Sequence, residues 1–310
     1  MKRLILRPRR RLLITFVAVA TVSVALPQLA TAAPVSVPGW YMYGSTLNEL
    51  KTNAYNHGHY FAYTHPGGTR VMLLDFGAAR KVTSSTWGAY DFSGTLFDNA
   101  SILAALERAA DGHHEGYRVG NTTILYGNSN YHMSNVGMST SDAWYAGYYQ
   151  SQRAQDLSNY QVSKNYNVQS SDAASDMELS WDGPLITKQL VNGDAAHGWA
   201  LYYNYGSADG CPSSGSGGSC NNGWSVGDVG YVSFSQLAVP LPEIYFTVNA
   251  DQWTVIRRWW DSNHSTSLYF WGTMGTPGVG LTPAAGWNAL NSRNSGRVFS
   301  ELVCISAGNC

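Results

Sequence analysis

Charge is scarce in this sequence. Lys, Arg, Asp and Glu make up 13% of its 310 residues, and they are unevenly placed. Six of the 19 basic residues (Lys2, Arg3, Arg7, Arg9, Arg10 and Arg11) fall in the first eleven positions. Beyond them, 13 basic residues face 20 acidic ones, a formal charge of −7 that excludes general attraction to nucleic acid or an anionic membrane. Long apolar runs are equally rare. The only one is LLITFVAVATVSVAL (12–26), shorter than the roughly 20 residues a spanning helix needs. Motifs for common cofactors are missing too. No G-x-G-x-x-G or P-loop spacing is present, and no H-E-x-x-H, so the expectation is no cofactor and no metal. The Gly215–Gly218 stretch lacks the strand-turn-helix setting of a serine nucleophile elbow.

The basic start, the apolar run and Ala30-Thr31-Ala32 form the three parts of a secretion signal. We read residues 1–32 as that signal, with a retained anchor as its rival, and 33–310 as one domain. The mature chain is expected to be secreted and monomeric, without a membrane partner.

Four cysteines form two close pairs, Cys211/Cys220 and Cys304/Cys310. In an exported chain these read as two local disulfides, with zinc binding disfavoured because neither spacing is C-x2-C. His57 and His59, in an apparent Gly-containing turn, read as surface residues.

Tyr (20), Trp (11) and Gly (32) are abundant, and such a chain folds. Strand-like segments occur at 39–44, 70–77, 122–128, 175–182, 199–206, 229–234, 242–246 and 267–273, with 60–64 as a ninth candidate. Helix-like stretches lie between several of them, starting near Ser45, Asn99, Ser141, Asn249 and Thr282. That alternation predicts an α/β fold with a closed parallel sheet, a (β/α)8 barrel of TIM type. The Gly/Ser/Cys-rich link 207–228 reads as one degenerate unit. An open doubly wound sheet is the alternative.

Side chains alternate across a strand. In RVMLLDFG this sets Asp75 opposite Met72, Leu74 and Phe76. In PEIYF it sets Glu243 opposite Ile244, and in SDMELSWD it sets Asp176, Glu178 and Asp182 opposite Met177, Leu179 and Trp181. If the apolar sides face the helices, three strands aim carboxyls into the barrel mouth. Crowded carboxyls raise one another's pKa, and one acid beside one carboxylate is what glycoside hydrolysis uses. Trp181, Tyr203, Tyr205, Tyr245 and Trp271 are candidate platforms for sugar rings, or else core and rim residues.

Asp176-Met-Glu178 resembles the Asp-x-Glu motif of family-25 glycoside hydrolases, the secreted lysozyme-type muramidases. LLDFG with Asp75, LSWDGPLITKQLVNG and WALYYNYG are similar to further parts of that pattern. PLPEIYFTVNADQW resembles exported actinobacterial proteins with glycoside-hydrolase-like barrels. The likeness spans about residues 70–275. It implies Glu178 as general acid, Asp176 as its electrostatic partner, Asp75 as an orienting group, and Glu243 or Asp182 as a second carboxylate. The implied substrate is a polysaccharide or peptidoglycan. The alternative is a barrel that binds glycan or a cell surface without catalysis.

Overall fold

The computed structural model describes residues 33–116 and 120–306; the expected signal, 1–32, lies outside them. In chain order the elements are β1 (Val37–Tyr41), α1 (Leu47–Thr64), β2 (Thr69–Lys81), β3 (Trp87–Tyr90), β4 (Leu96–Asp98) and α2 (Asn99–Gly116). There follow β5 (Asn121–Ser129), α3 (Thr140–Ser163), β6 (Gln169–Asp176), α4 (Pro184–His197), β7 (Tyr202–Asn204) and α5 (Val226–Phe234). The last elements are β8 (Ala238–Pro240), α6 (Thr247–Asn263), β9 (Phe270–Gly275), α7 (Pro283–Arg293) and β10 (Val298–Ser306).

Eight strands pair in parallel in the order β8-β7-β6-β5-β2-β1-β10-β9. A parallel bridge between Glu243, just past β8, and Met274 of β9 joins the two ends. The sheet thus closes into a (β/α)8 barrel, as the alternation predicts. Its strands read as apolar runs because both faces are covered. Val71–Leu74 of β2 and Ile124–Tyr126 of β5 are almost wholly buried, inward residues filling the lumen and outward ones meeting α1 and α2. No helix among the described residues is long and apolar enough to cross a membrane.

Several segments differ from their sequence reading. VGYVSF (229–234) is helix α5, not a strand. Ser225 caps it with a full capping box to Asp228, and Val226, Val229, Gly230 and Ser233 form its buried stripe. The β7–α5–β8 unit is therefore complete, not degenerate. YFAYT (60–64) is the end of α1, and HGH lies within α1 rather than in a turn. Gly58 lets α2 approach there: a Cβ would sit 2.0 Å from the Ala109 carbonyl oxygen. His57 packs inside, stacked on Trp40 at 4.6 Å. The strand in 175–182 ends at Asp176, and PEIYF follows β8 instead of forming it. β10 and the β3–β4 hairpin have no counterpart in the sequence reading.

The Cys211–Cys220 disulfide is present, closing a loop between β7 and α5. Cys304 is buried in β10, and its expected partner Cys310 lies outside the described residues.

Candidate active site

The strand register decides where the acids face. Asp75 of β2 is paired with Tyr41 of β1 and Gly127 of β5, and Ser129 of β5 is paired with Asp176 of β6. Residues paired in a parallel ladder point to one side, so Tyr41, Asp75, Ser129 and Asp176 share the inward face. Tyr41, Ser129 and Asp176 end their strands, and Asp75 stands where the regular pairing of β2 with β1 and β5 stops, all at the end of such barrels where chemistry is placed. Gly77 secures Asp75. It adopts φ +86°, donates its N–H to Asp75 Oδ1 at 2.8 Å, and lets the hairpin close in, since a Cβ would stand 2.4 Å from the Tyr90 carbonyl oxygen.

Glu178 reaches the mouth from the β6–α4 loop. Asn130 fixes that loop, accepting from Glu178 N at 3.0 Å and donating to the Glu178 carbonyl at 3.1 Å. Glu243 reaches it from the segment after β8. One carboxyl oxygen from each of Asp176, Glu178 and Glu243 lies within 4.8 Å of the other two.

Asp75, Asp176, Glu178 and Glu243 are displaced upward in pKa, first by burial. Asp75, 1% exposed, is pushed up to about 7 against the pull of the Gly77 N–H. Asp176 is raised by burial and then by Glu243, Glu178 and Asp75. Glu243 is raised by burial and by Glu178, although the Tyr245 hydroxyl donates to its Oε1. Glu178 is raised by burial while two bonds from Ser207 oppose the shift, N–H to Oε1 at 3.0 Å and Oγ to Oε2 at 2.7 Å. The nearby charge of Glu178 adds to the rise of Glu243, so the pair favours holding one proton. Burial and these acids together hold the hydroxyls of Tyr41, Tyr205 and Tyr245 neutral.

Beside the acids opens a cleft of about 400 Å³, floored by Asp75 and Asp176. Tyr90 and Phe92 of the hairpin region stand on one side, and Tyr131 and Trp181 of the loops after β5 and β6 on the other. Tyr131 and Trp181 meet edge to face at 5.2 Å, and Phe92 leans on Tyr41 at 4.6 Å. Tyr90, Phe92 and Tyr131 are exposed.

The other expected residues are spread more widely. Asp182 has its oxygens engaged by Ser134 N–H (2.7 Å), Ser134 Oγ (2.7 Å) and Gly183 N–H (2.9 Å), and it clasps two loops together. Tyr205 is buried beside Asp75, but its one proton goes to the Asn128 carbonyl at 3.0 Å. Tyr245 presents its hydroxyl to Glu243 and Thr276. Tyr203 lies buried in the lumen, edge to face with Trp271 at 5.9 Å. Trp271 is the second residue of β9, roughly 10 Å along the strand from Met274 and toward the end opposite the acids. The sequence reading missed Tyr41, Ser207, Tyr90, Phe92 and Tyr131. Only Tyr41 left a signal, alternating with Trp40 and Met42 as Asp75 does with Leu74 and Phe76.

Three carboxyls this close also offer the oxygen ligands a hard cation takes. Ca²⁺ wants about six to eight, however, and Ser207 and Tyr245 already occupy three of the lone-pair sites.

No protein-family profile matches the chain, and no curated protein matches it either. Among solved structures it is similar to an endo-beta-N-acetylglucosaminidase from Cordyceps militaris in apo form. The identity is 11% and the TM-score 0.33, over 86% of this chain and 87% of that one. So distant a superposition carries no argument, and the barrel assignment rests on the strand pairing itself.

Proposed function

We propose that the protein is an exported glycoside hydrolase that cleaves a cell-wall or environmental polysaccharide by carboxylate acid–base chemistry. The observation supporting it is the Asp176–Glu178–Glu243 cluster at the barrel mouth, beside an aromatic-walled cleft.

In this reading Glu178 is the general acid. In its protonated form Glu178 gives its proton to the glycosidic oxygen as the C1–O bond breaks, and the bonding electron pair leaves with that oxygen. Asp176, with Oδ1 unpartnered, faces the positive charge that develops at C1. Water then adds at C1 and returns a proton to Glu178. Ser207 fixes the Glu178 carboxylate, Tyr245 fixes Glu243, and Asp75 orients the sugar.

The test is release of reducing ends from a panel of bacterial walls and plant and fungal glycans, with the product anomer read by NMR. Hydrolysis is expected, and the anomer reports whether it retains or inverts. Binding without turnover would instead make this a glycan-binding barrel.

A further inference from the structure

The acids at the mouth have no cationic counterpart. Among the described residues, none of Asp75, Asp176, Glu178, Glu243 and Asp209 takes part in a salt bridge. No Arg or Lys is among the main causes that displace the first four. Asp209 adds its charge to Glu178 and Glu243 from the loop after β7. The cleft lining contains no Lys, Arg or His.

A second observation points to a ligand. Asp75 and Asp176, 1% and 6% exposed, both line the cleft, and each keeps one carboxyl oxygen without a hydrogen-bond partner, Oδ2 and Oδ1 respectively. Buried polar atoms are ordinarily satisfied, so two orphaned acceptors on residues that line one cavity mark positions where a donor is missing.

We infer that the glycan taken by this cleft is positively charged, a chain of hexosamine units whose amino groups are free rather than acylated. This rests on the reading of the site as glycan-cleaving and narrows it. An ammonium group brings the two things the mouth lacks, a positive charge and several N–H donors, while sugar faces and ammonium groups alike suit the exposed aromatic rings. An anionic chain, with uronic or lactyl carboxylates, would set like charge against buried acids. A neutral chain would bring nothing that favours the ionised acids. The cleft therefore selects by repulsion as well as attraction.

The experiment is isothermal titration calorimetry at mildly acidic pH with three hexasaccharides: β-1,4-glucosamine, β-1,4-N-acetylglucosamine and oligogalacturonate. Each is run in two buffers of different ionisation enthalpy. The glucosamine chain is expected to bind at least ten-fold tighter than the others and to release protons, because ammonium groups drive the acids to ionise. The preference should shrink with added salt and in Asp75→Asn, whereas Phe92→Ala should weaken binding without changing the order. Equal or tighter binding of the neutral or anionic chain, with hydrolysis intact, overturns this inference and leaves the glycosidase reading standing. So does proton release by calcium chloride alone when the glucosamine chain fails to bind. If no glycan binds or is cleaved, both readings fall.

Discussion

Ser207 donates twice to one carboxylate, its N–H to Glu178 Oε1 and its hydroxyl to Glu178 Oε2. Both bonds favour the ionised form and so restrain the upward shift that burial imposes. Removing the hydroxyl with Ser207→Ala raises the Glu178 pKa further. If Glu178 is the general acid, the alkaline limb of the kcat/KM profile moves to higher pH. An unchanged limb would separate Ser207 from the chemistry.

The buried acids also make stability depend on pH, with a definite sign. Asp75 has a folded-state pKa of about 7 against an ordinary 3.8, so folding favours its protonated form. The stability this contributes is complete below about pH 4 and gone above about pH 7, with an upper bound of about 4 kcal/mol. Burial pushes His57 and His113 down to about 4, and they act oppositely: their contribution is present above their ordinary 6.5 and lost as pH falls toward 4. A comparison of variants isolates the acid. Chemical denaturation should show Asp75→Asn losing less stability than wild type between about pH 5 and pH 8. Parallel curves would contradict this.

The Cys211–Cys220 bridge closes a short loop in the same connection that carries Ser207 and Asp209. Loop-closure entropy gives such a bridge about 3 kcal/mol. The double variant Cys211→Ser/Cys220→Ser should unfold at correspondingly lower denaturant, and it should lose activity before it loses global structure. A midpoint identical to wild type would show the loop held by other contacts, such as the 2.9 Å bond from Gln252 Nε2 to the Cys211 carbonyl.

Phe92 is 52% exposed and contributes little to the core, so Phe92→Ala should change stability by no more than about 0.5 kcal/mol. As one wall of the cleft it should matter for ligand, raising KM or Kd on the order of ten-fold with kcat less affected. Unaltered binding would move the glycan elsewhere.

Much of this architecture was legible because a parallel barrel repeats one signal. Asp75 in RVMLLDFG could be oriented by alternation alone, since β2 is a regular strand through that point. Asp176 could be oriented for the same reason, but Glu178 could not. Its strand ends at Asp176, and the apparent alternation through Trp181 is a coincidence of loop residues that pack outward (Met177, Leu179) or rim the cleft (Trp181). In VGYVSF, β-branched residues imitate a strand, but the Ser225–Asp228 capping box imposes a helix. Trp271 shows the limit of composition: an aromatic suited to sugars lies toward the wrong end of its strand. Tyr90 and Phe92 enter the site only through the hairpin on β2, a tertiary feature with no short-range signature.

The hydrolytic rate of Glu178→Gln against wild type, measured on whichever glycan the wild type cleaves, tests the role of Glu178 most directly. Both proteins would first be shown to have the same circular dichroism and thermal midpoint. Loss of a general acid predicts a fall in kcat of about 10²- to 10⁴-fold with little change in binding. Equal rates in the two proteins would contradict the assignment of Glu178 and, with it, the proposed acid–base chemistry of the mouth.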